Sequence, residues 1–192
     1  MHAHDPHLTD LCFPHGNEEA LCQMALALGT THLILCYPLS DPLVKDRKKE
    51  VAMLAHEGLT TEFAVIVRNQ DEVAKAMHLT RTIVGPARLE LYEDKRVTHL
   101  IGIESGRRED FIHHRNSGLT QVLIAQAIRT EKTLLVDLSA LHGPFPQPVI
   151  IGRIMQNNTL FKKYAPRTLV VSAGKTPFDL RSPHDRANFL RI

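Results

Sequence analysis

Short runs of β-branched and aliphatic residues recur along the chain, with stretches of helically spaced apolar positions between them. Residues 8–13, 32–37, 62–67, 81–84, 99–103, 133–138 and 168–171 carry these runs and predict seven strands. The first intervening helix begins near Asn17, places Leu21, Met24, Ala25 and Leu28 at helical spacing, and stops at Gly29. A second spans about 117–131, with Leu119, Val122, Leu123, Gln126 and Ala127 on neighbouring faces. In a third, over about 148–164, Ile151, Ile154, Met155 and Leu160 alternate with Arg153, Lys162 and Lys163.

Alternation of strand and helix predicts an α/β fold with a parallel sheet. Seven short strands in 192 residues suit a compact TIM-like barrel with surrounding helices better than an open sheet with a second domain. Residues 1–192 therefore read as a single barrel domain. The connection 84–98 is too short for a full helix, whereas 104–116 is long and holds Arg107, Arg108, His113, His114 and Arg115. Ligand-binding residues of a barrel sit on the loops that follow the strands, so this loop and the 172–182 loop are expected to open on one face. Pro144, Pro146 and Pro148 mark an extended loop, and there is no internal repeat or low-complexity tract.

Composition fits this picture. With 43% hydrophobic residues and few aromatics, the chain can bury one sizeable core. No apolar run approaches the roughly 20 residues of a membrane span, and the His-rich start lacks the apolar centre of a signal peptide, so the expected location is the cytoplasm. Cys12, Cys22 and Cys36 are odd in number and widely spaced, which predicts small buried hydrophobes rather than a disulfide framework or a cysteine zinc site. Net charge is only +2, but residues 1–60 carry four Lys/Arg against eight Asp/Glu, and residues 153–192 carry eight against two. Such polarity suits a protein that turns one face to a polyanion and another to protein partners; a scattered solvated surface gives the same count.

The densest chemistry follows the last strand. Leu169, Val170 and Val171 run into Ser172, Ala173 and Gly174, where the backbone can turn tightly, and Lys175, Arg181, His184 and Arg186 arrive within a dozen residues. Ser182 before Pro183 supplies a hydroxyl cap and a first-position proline for a helix. A strand, a glycine turn, a basic loop and a helix N-terminus together predict an anion site. An ordinary strand-to-helix connection with solvated charges fits the local pattern equally. Asp179 and Asp185 flank Arg181 and either pair with its guanidinium or cap the closing helix. An arginine so held keeps donors for a phosphate.

Other signals are weaker. His2, His4, His7 and His15 could share a metal, but they precede the apolar run instead of ending it and no acidic ligand cluster follows. Gly174-Lys175-Thr176 would need a second glycine where Leu169 stands to form a P-loop. The carboxylate pairs Glu93-Asp94 and Glu109-Asp110 are adjacent in sequence and point apart. No Ser/His/Asp order stands out from what 12 histidines would offer at random. Low aromatic content and the lack of Trp argue against base stacking as the main mode of nucleic-acid binding.

Several motifs occur in a fixed order: a basic loop over 107–115, Ser117-Gly118-Leu119 opening a helix, an aliphatic strand ending in a serine-leucine turn over 134–141, and a helix with asparagines and basic residues over 150–164. Ser172-Ala173-Gly174 and Leu180-Arg181-Ser182-Pro183-His184-Asp185 complete the series. In this order they resemble the archaeal and eukaryotic family of ribonuclease P protein component 3, the barrel-shaped protein subunit of the tRNA 5′-end processing enzyme. The resemblance covers residues 100–190 and is weaker before them. Two departures stand out. His184 occupies a position where the family usually has an arginine, which makes that charge pH-dependent, and the closing helix is short.

The resemblance implies an accessory subunit of an RNA enzyme. The holoenzyme is an endoribonuclease that removes the 5′ leader of precursor tRNA; its catalyst is the RNA, with magnesium serving that RNA. This chain would hold no catalytic residue, metal or cofactor of its own. Its implied partners are the catalytic RNA, precursor tRNA and another protein component, with which it would form a heterodimer paired into a heterotetramer, away from membranes. Arg107, Arg108, Arg115, Lys175, Arg181, His184 and Arg186 would contact RNA, supported by Ser117, Ser172, Gly174, Asp179 and Asp185.

The family is similar in fold to the polymerase-and-histidinol-phosphatase metal hydrolases, whose first strand ends in Asp-Leu-His-x-His. Here that run reads Asp10-Leu11-Cys12-Phe13-Pro14, and Tyr37-Pro38 stands where the hydrolases place an Asp-His pair. Two alternatives remain open: a metal-dependent phosphoesterase of that class using the N-terminal histidines with His142 or His184, and a general RNA-binding barrel outside ribonuclease P.

Overall fold

A computed structural model of the chain describes residues 8–54, 56–106, 109–110, 113 and 115–191. Seven strands, β1 (Thr9–Cys12), β2 (His32–Pro38), β3 (Thr60–Ile66), β4 (Ile83–Pro86), β5 (His99–Ile101), β6 (Thr133–Asp137) and β7 (Thr168–Val171), form one sheet. Each is parallel to the next, and the spatial order follows the chain order. The sheet curls until its edges meet: Ala173 N–H donates to Leu11 O (2.9 Å), Phe13 N–H donates to Gly174 O (2.8 Å), and Cys12 bridges Gly174. The result is a nearly closed α/β barrel of the TIM type.

Period-two alternation sorts the strand residues into two cores. Leu11, Ile34, Cys36, Ala64, Val84, Ile101, Leu135, Leu169 and Val171 pack together as one cluster. Their sequence neighbours Cys12, Leu33, Leu35, Phe63, Val65, Ile83, Leu100, Leu134 and Val170 pack with the helices in the other. Each of those large aliphatics contributes about 1.5–3 kcal/mol by leaving water. All three cysteines are buried.

The helices are α1 (Glu18–Ala27), α2 (Val44–Met53), α3 (Gln70–Met77), α4 (Leu89–Glu93), α5 (Gln121–Arg129), α6 (Gln147–Tyr164) and α7 (Pro183–Phe189). The 117–131 stretch turns helical only at Gln121. Gly118 has φ +80 and Thr120 is the cap, its hydroxyl accepting from Leu123 N–H. Helix α6 starts at the proline loop and ends on Ala165 at φ 48, before Pro166. The 84–98 connection holds only the five residues of α4. Among the described residues no helix is long and apolar enough to cross a membrane.

Arg153 departs from its sequence pattern. Spacing places it among the polar positions of α6, yet it is 2% exposed. Its Nε donates to Asp110 Oδ1 (3.0 Å), one terminal nitrogen reaches Glu104 O and Gly106 O, and the guanidinium lies 5.5 Å from the Phe145 ring. The buried side chain fastens the segment that follows β5 onto α6.

Candidate nucleic-acid interface

The turn after β7 is built on a buried polar lock. Asp10 sits in β1 with 1% exposure. Its Oδ1 accepts from Leu11 N–H and Ser172 N–H, and its Oδ2 accepts from the Ser172 hydroxyl at 2.6 Å. Ser172 Oγ in turn accepts from Arg181 N–H at 2.9 Å. Ala173 takes a left-handed φ of 49. Gly174 is required by close approach: a Cβ there would stand 2.7 Å from Asp179 Cβ. Ser172 and Gly174 thereby hold the backbone of the following loop.

Arg186 belongs to this lock and not to the surface. Contrary to the expectation that it contacts RNA, it is 2% exposed. Its guanidinium lies 3.6 Å from Asp10 Oδ2, donates to Val170 O (3.1 Å) and Arg181 O (3.2 Å), and also donates to Thr9 O. Burial pushes the Asp10 carboxyl up by more than the Arg186 charge pulls it down, and burial lowers Arg186. A cation committed in this way cannot reach a phosphate outside.

Lys175 and Arg181 are exposed. Between them a 3-10 turn, Pro177–Asp179, is tied by Asp179, whose Oδ2 accepts from Lys175 N–H (3.0 Å), Thr176 N–H (2.8 Å) and the Thr176 hydroxyl (3.0 Å). The Thr176 amide is the main cause that holds the Asp179 carboxyl below its usual range. Arg181 donates from one terminal nitrogen to Phe178 O and Leu180 O, both at 3.0 Å. Of the two roles open to Asp179 and Asp185, both cap: Asp179 the 3-10 turn, and Asp185 the helix α7, where its N–H and carboxylate bond the Ser182 hydroxyl. Pro183 has no N–H and Asp185 supplies negative charge in the first turn, so the start of α7 is already satisfied. Side chains, not a helix terminus, give the site its positive charge. His184 is exposed on α7 with Nε2 2.8 Å from Asn188 Nδ2.

Lys175 and Arg181 stand on the rim of a cleft of about 470 Å³ between this loop and a 3-10 turn, Leu138–His142, which follows β6. Its walls include Leu138, Leu141 and Phe189, with Ser139, His142 and Asp185 as polar groups. Ser139 is oriented by Asp137, which accepts from its N–H (2.8 Å) and hydroxyl (2.6 Å). The cleft opens at the C-terminal ends of β6 and β7, the end where barrel folds carry ligand sites.

None of the described residues of the expected companion loop lines this cleft. Arg115 pairs with Asp110 (2.9 Å) and lies against Gly152 of α6, lining a separate recess with Gln156 and Lys162. Asp110 is held down to about 2, first by the Asn116 amide and further by Arg115 and Arg153. Ser117 is buried, its hydroxyl donating to Asn157 Oδ1 at 2.6 Å. His15 and His113 are exposed. Arg107, Arg108, His114, His2, His4 and His7 lie outside the described residues.

Sequence reasoning missed Glu104. It is buried where β5 ends, and Asp137 N–H donates to its Oε1 at 2.6 Å. Burial, reinforced by the Asp137 charge, pushes its carboxyl up to about 8, so it is mostly protonated at neutral pH. No motif marks it; only the meeting of two strand ends brings the two acids together.

Cys12 and Pro38 end β1 and β2, with Pro14 and Tyr37 beside them; these are the residues that the sequence resemblance sets against the hydrolase ligands. Burial raises the Cys12 thiol well above its ordinary value, and proline offers no side-chain donor. Among the described residues no three His, Cys, Asp or Glu side chains are placed to share a metal ion.

Neither a protein-family model nor a curated protein matches the sequence. Solved structures do match. A chain in the cryo-EM structure of archaeal ribonuclease P with mature tRNA superposes with a TM-score of 0.76 at 18% identity, covering 95% of this chain and 82% of that one. Histidinol phosphate phosphatase from Lactococcus lactis, complexed with zinc, L-histidinol and phosphate, superposes with a TM-score of 0.59 at 7% identity, covering 95% and 91%. At these identities the likeness establishes a shared barrel fold: this chain has the architecture found both in an archaeal ribonuclease P assembly and in a zinc-containing phosphatase.

Proposed function

We propose that this chain is a protein subunit of ribonuclease P that assists the catalytic RNA in removing the 5′ leader of precursor tRNA. The observation that carries this reading is the superposition of 95% of the chain on a component of an archaeal ribonuclease P structure. The motif order that resembles protein component 3 supports it, and so does the pair of exposed cations, Lys175 and Arg181, on a rigid loop at the C-terminal end of the barrel. The chain contributes phosphate contacts and leaves the chemistry, with its magnesium, to the RNA. His184 and Arg115 add charge from neighbouring surfaces, and Arg107 and Arg108 extend the second basic loop. A further protein component pairs with it as a heterodimer within a heterotetramer.

Reconstitution with the catalytic RNA and candidate partner proteins tests the proposal. Adding the wild-type chain is expected to stimulate leader removal; no stimulation in any combination overturns the reading. Lys175→Ala and Arg181→Ala are each expected to weaken RNA binding several-fold and to reduce the slope of log affinity against log salt by about one. Lys175→Ala should leave the thermal unfolding midpoint unchanged, since its side chain is exposed, whereas Arg181→Ala also removes two hydrogen bonds to loop carbonyls and should lower it slightly.

The likeness to the zinc-containing phosphatase favours a second reading, a metal-dependent phosphoesterase. Cys12 and Pro14, where the sequence motif of that class has histidines, weigh against it. A stoichiometric transition metal in the purified protein, with phosphatase activity lost in His2→Ala and His4→Ala, would establish that reading over the first.

A further inference from the structure

Phe178 is the outlier among the described aromatic side chains. Every other described phenylalanine and tyrosine is buried or half-buried, whereas Phe178 is 83% exposed. A ring on a slack loop would fold back on nearby apolar surface; this one is held out. Pro177 fixes φ before it, Asp179 ties the turn to the Lys175 and Thr176 amides, and the next residue, Leu180, is buried in the core.

The surroundings of the ring point to what covers it. Lys175 lies three residues before and Arg181 three after, both exposed, and the Arg181 guanidinium bonds the carbonyl of Phe178 itself. A flat apolar face bracketed by two cations matches the alternation of base and phosphate along an unpaired strand. Duplex RNA presents its phosphates but no free base face. The apolar centre of a protein interface is a contiguous patch, while Thr176 and Asp179 beside this ring are polar and exposed.

We propose that the 175–181 loop reads single-stranded RNA, with Phe178 stacking on an unpaired base while Lys175 and Arg181 hold the flanking phosphates. The inference rests on the RNA-binding reading of this loop and deepens it by naming strandedness. One exposed ring suffices for this, whatever the low aromatic content of the chain as a whole.

The chain contains no tryptophan, so Phe178→Trp places a sole indole at the stacking position. Titration of that variant at low salt with oligoadenylate is expected to quench its emission, while an RNA duplex of equal length leaves emission unchanged. In parallel, Phe178→Ala is expected to weaken oligoadenylate binding about tenfold without changing duplex affinity, and Phe178→Trp to retain both. Equal quenching by the two RNAs, or wild-type affinity of Phe178→Ala for the single strand, overturns the proposal. So does a Phe178→Ala protein that binds oligoadenylate normally but no longer associates with a ribonuclease P protein. If Lys175→Ala and Arg181→Ala weaken binding while Phe178→Ala does not, stacking fails and the phosphate-binding reading stands. If wild-type protein binds neither RNA, both fail.

Discussion

Glu104 shows how much a single position depends on its fold. Its folded carboxyl titrates near 8 against 4.5 for the free side chain, because burial disfavours the charged form and Asp137 adds negative charge beside it. A raised folded pKa means that the folded state binds the extra proton between these values. The contribution to stability is therefore complete below about 4.5 and is lost as pH rises through about 8. Urea unfolding at a series of pH values is expected to show this decline in wild-type protein, and Glu104→Gln, which carries no titrating proton, should flatten it. A Gln variant with the wild-type slope would assign the decline elsewhere. Arg186 and Arg153 make the complementary point: as letters they are cations near a basic loop. What separates a buried cation from an exposed one is its partner, and the two Asp10 contacts that define this site span 162 residues.

Among the elements, the loop after β7 is defined less by its charges than by its ties. Asp179 satisfies two amides and a hydroxyl from one carboxylate oxygen. Asp179→Ala is expected to cost about 1 kcal/mol, as loss of a cap does, and to weaken RNA binding by loosening the spacing of Lys175, Phe178 and Arg181. Circular dichroism unchanged from wild type alongside weaker binding would show that the loss is local; unchanged binding would show that the ties are dispensable. Strand runs and the first, fifth and sixth helices are legible in the sequence because burial on one or both faces leaves an apolar period. Helix α2 has little such signal, since Val44–Met53 is mostly charged and buries only Val44 and Val51. The loop's basic composition was equally legible. Its rigid turn was not, because the Asp179 ties depend on a backbone path set by Gly174 and Ala173.

For the molecule as a whole, the decisive contact is the one between its first and last strands. Asp10, Ser172 and Arg186 join β1, the turn after β7 and α7 in a site shielded from water. Asp10→Ala or Arg186→Ala leaves the other charge buried without its opposite, and each is expected to lower the unfolding free energy by about 3 kcal/mol. Measured by urea denaturation, the sheet and α7 should lose structure together if the seam couples them; a separate early transition for α7 would show that they are independent. The α/β barrel could be read from strand count and alternation. Which residues close it could not, since closure pairs positions with no periodic relation in the sequence.

The order of strands in this sheet matches their order in the chain, so a nascent polypeptide emerging from the ribosome extends one growing edge and meets its first strand only with the seventh. Asp10 gains its hydrogen bonds from Ser172 only once the seventh strand has been made, and its counter-charge only with residue 186. The loop that carries Lys175, Phe178 and Arg181 is thus assembled last, by the same event that completes the fold. If the loop binds RNA as proposed, an unfinished or misfolded copy would lack that capacity, and only a closed barrel would present it.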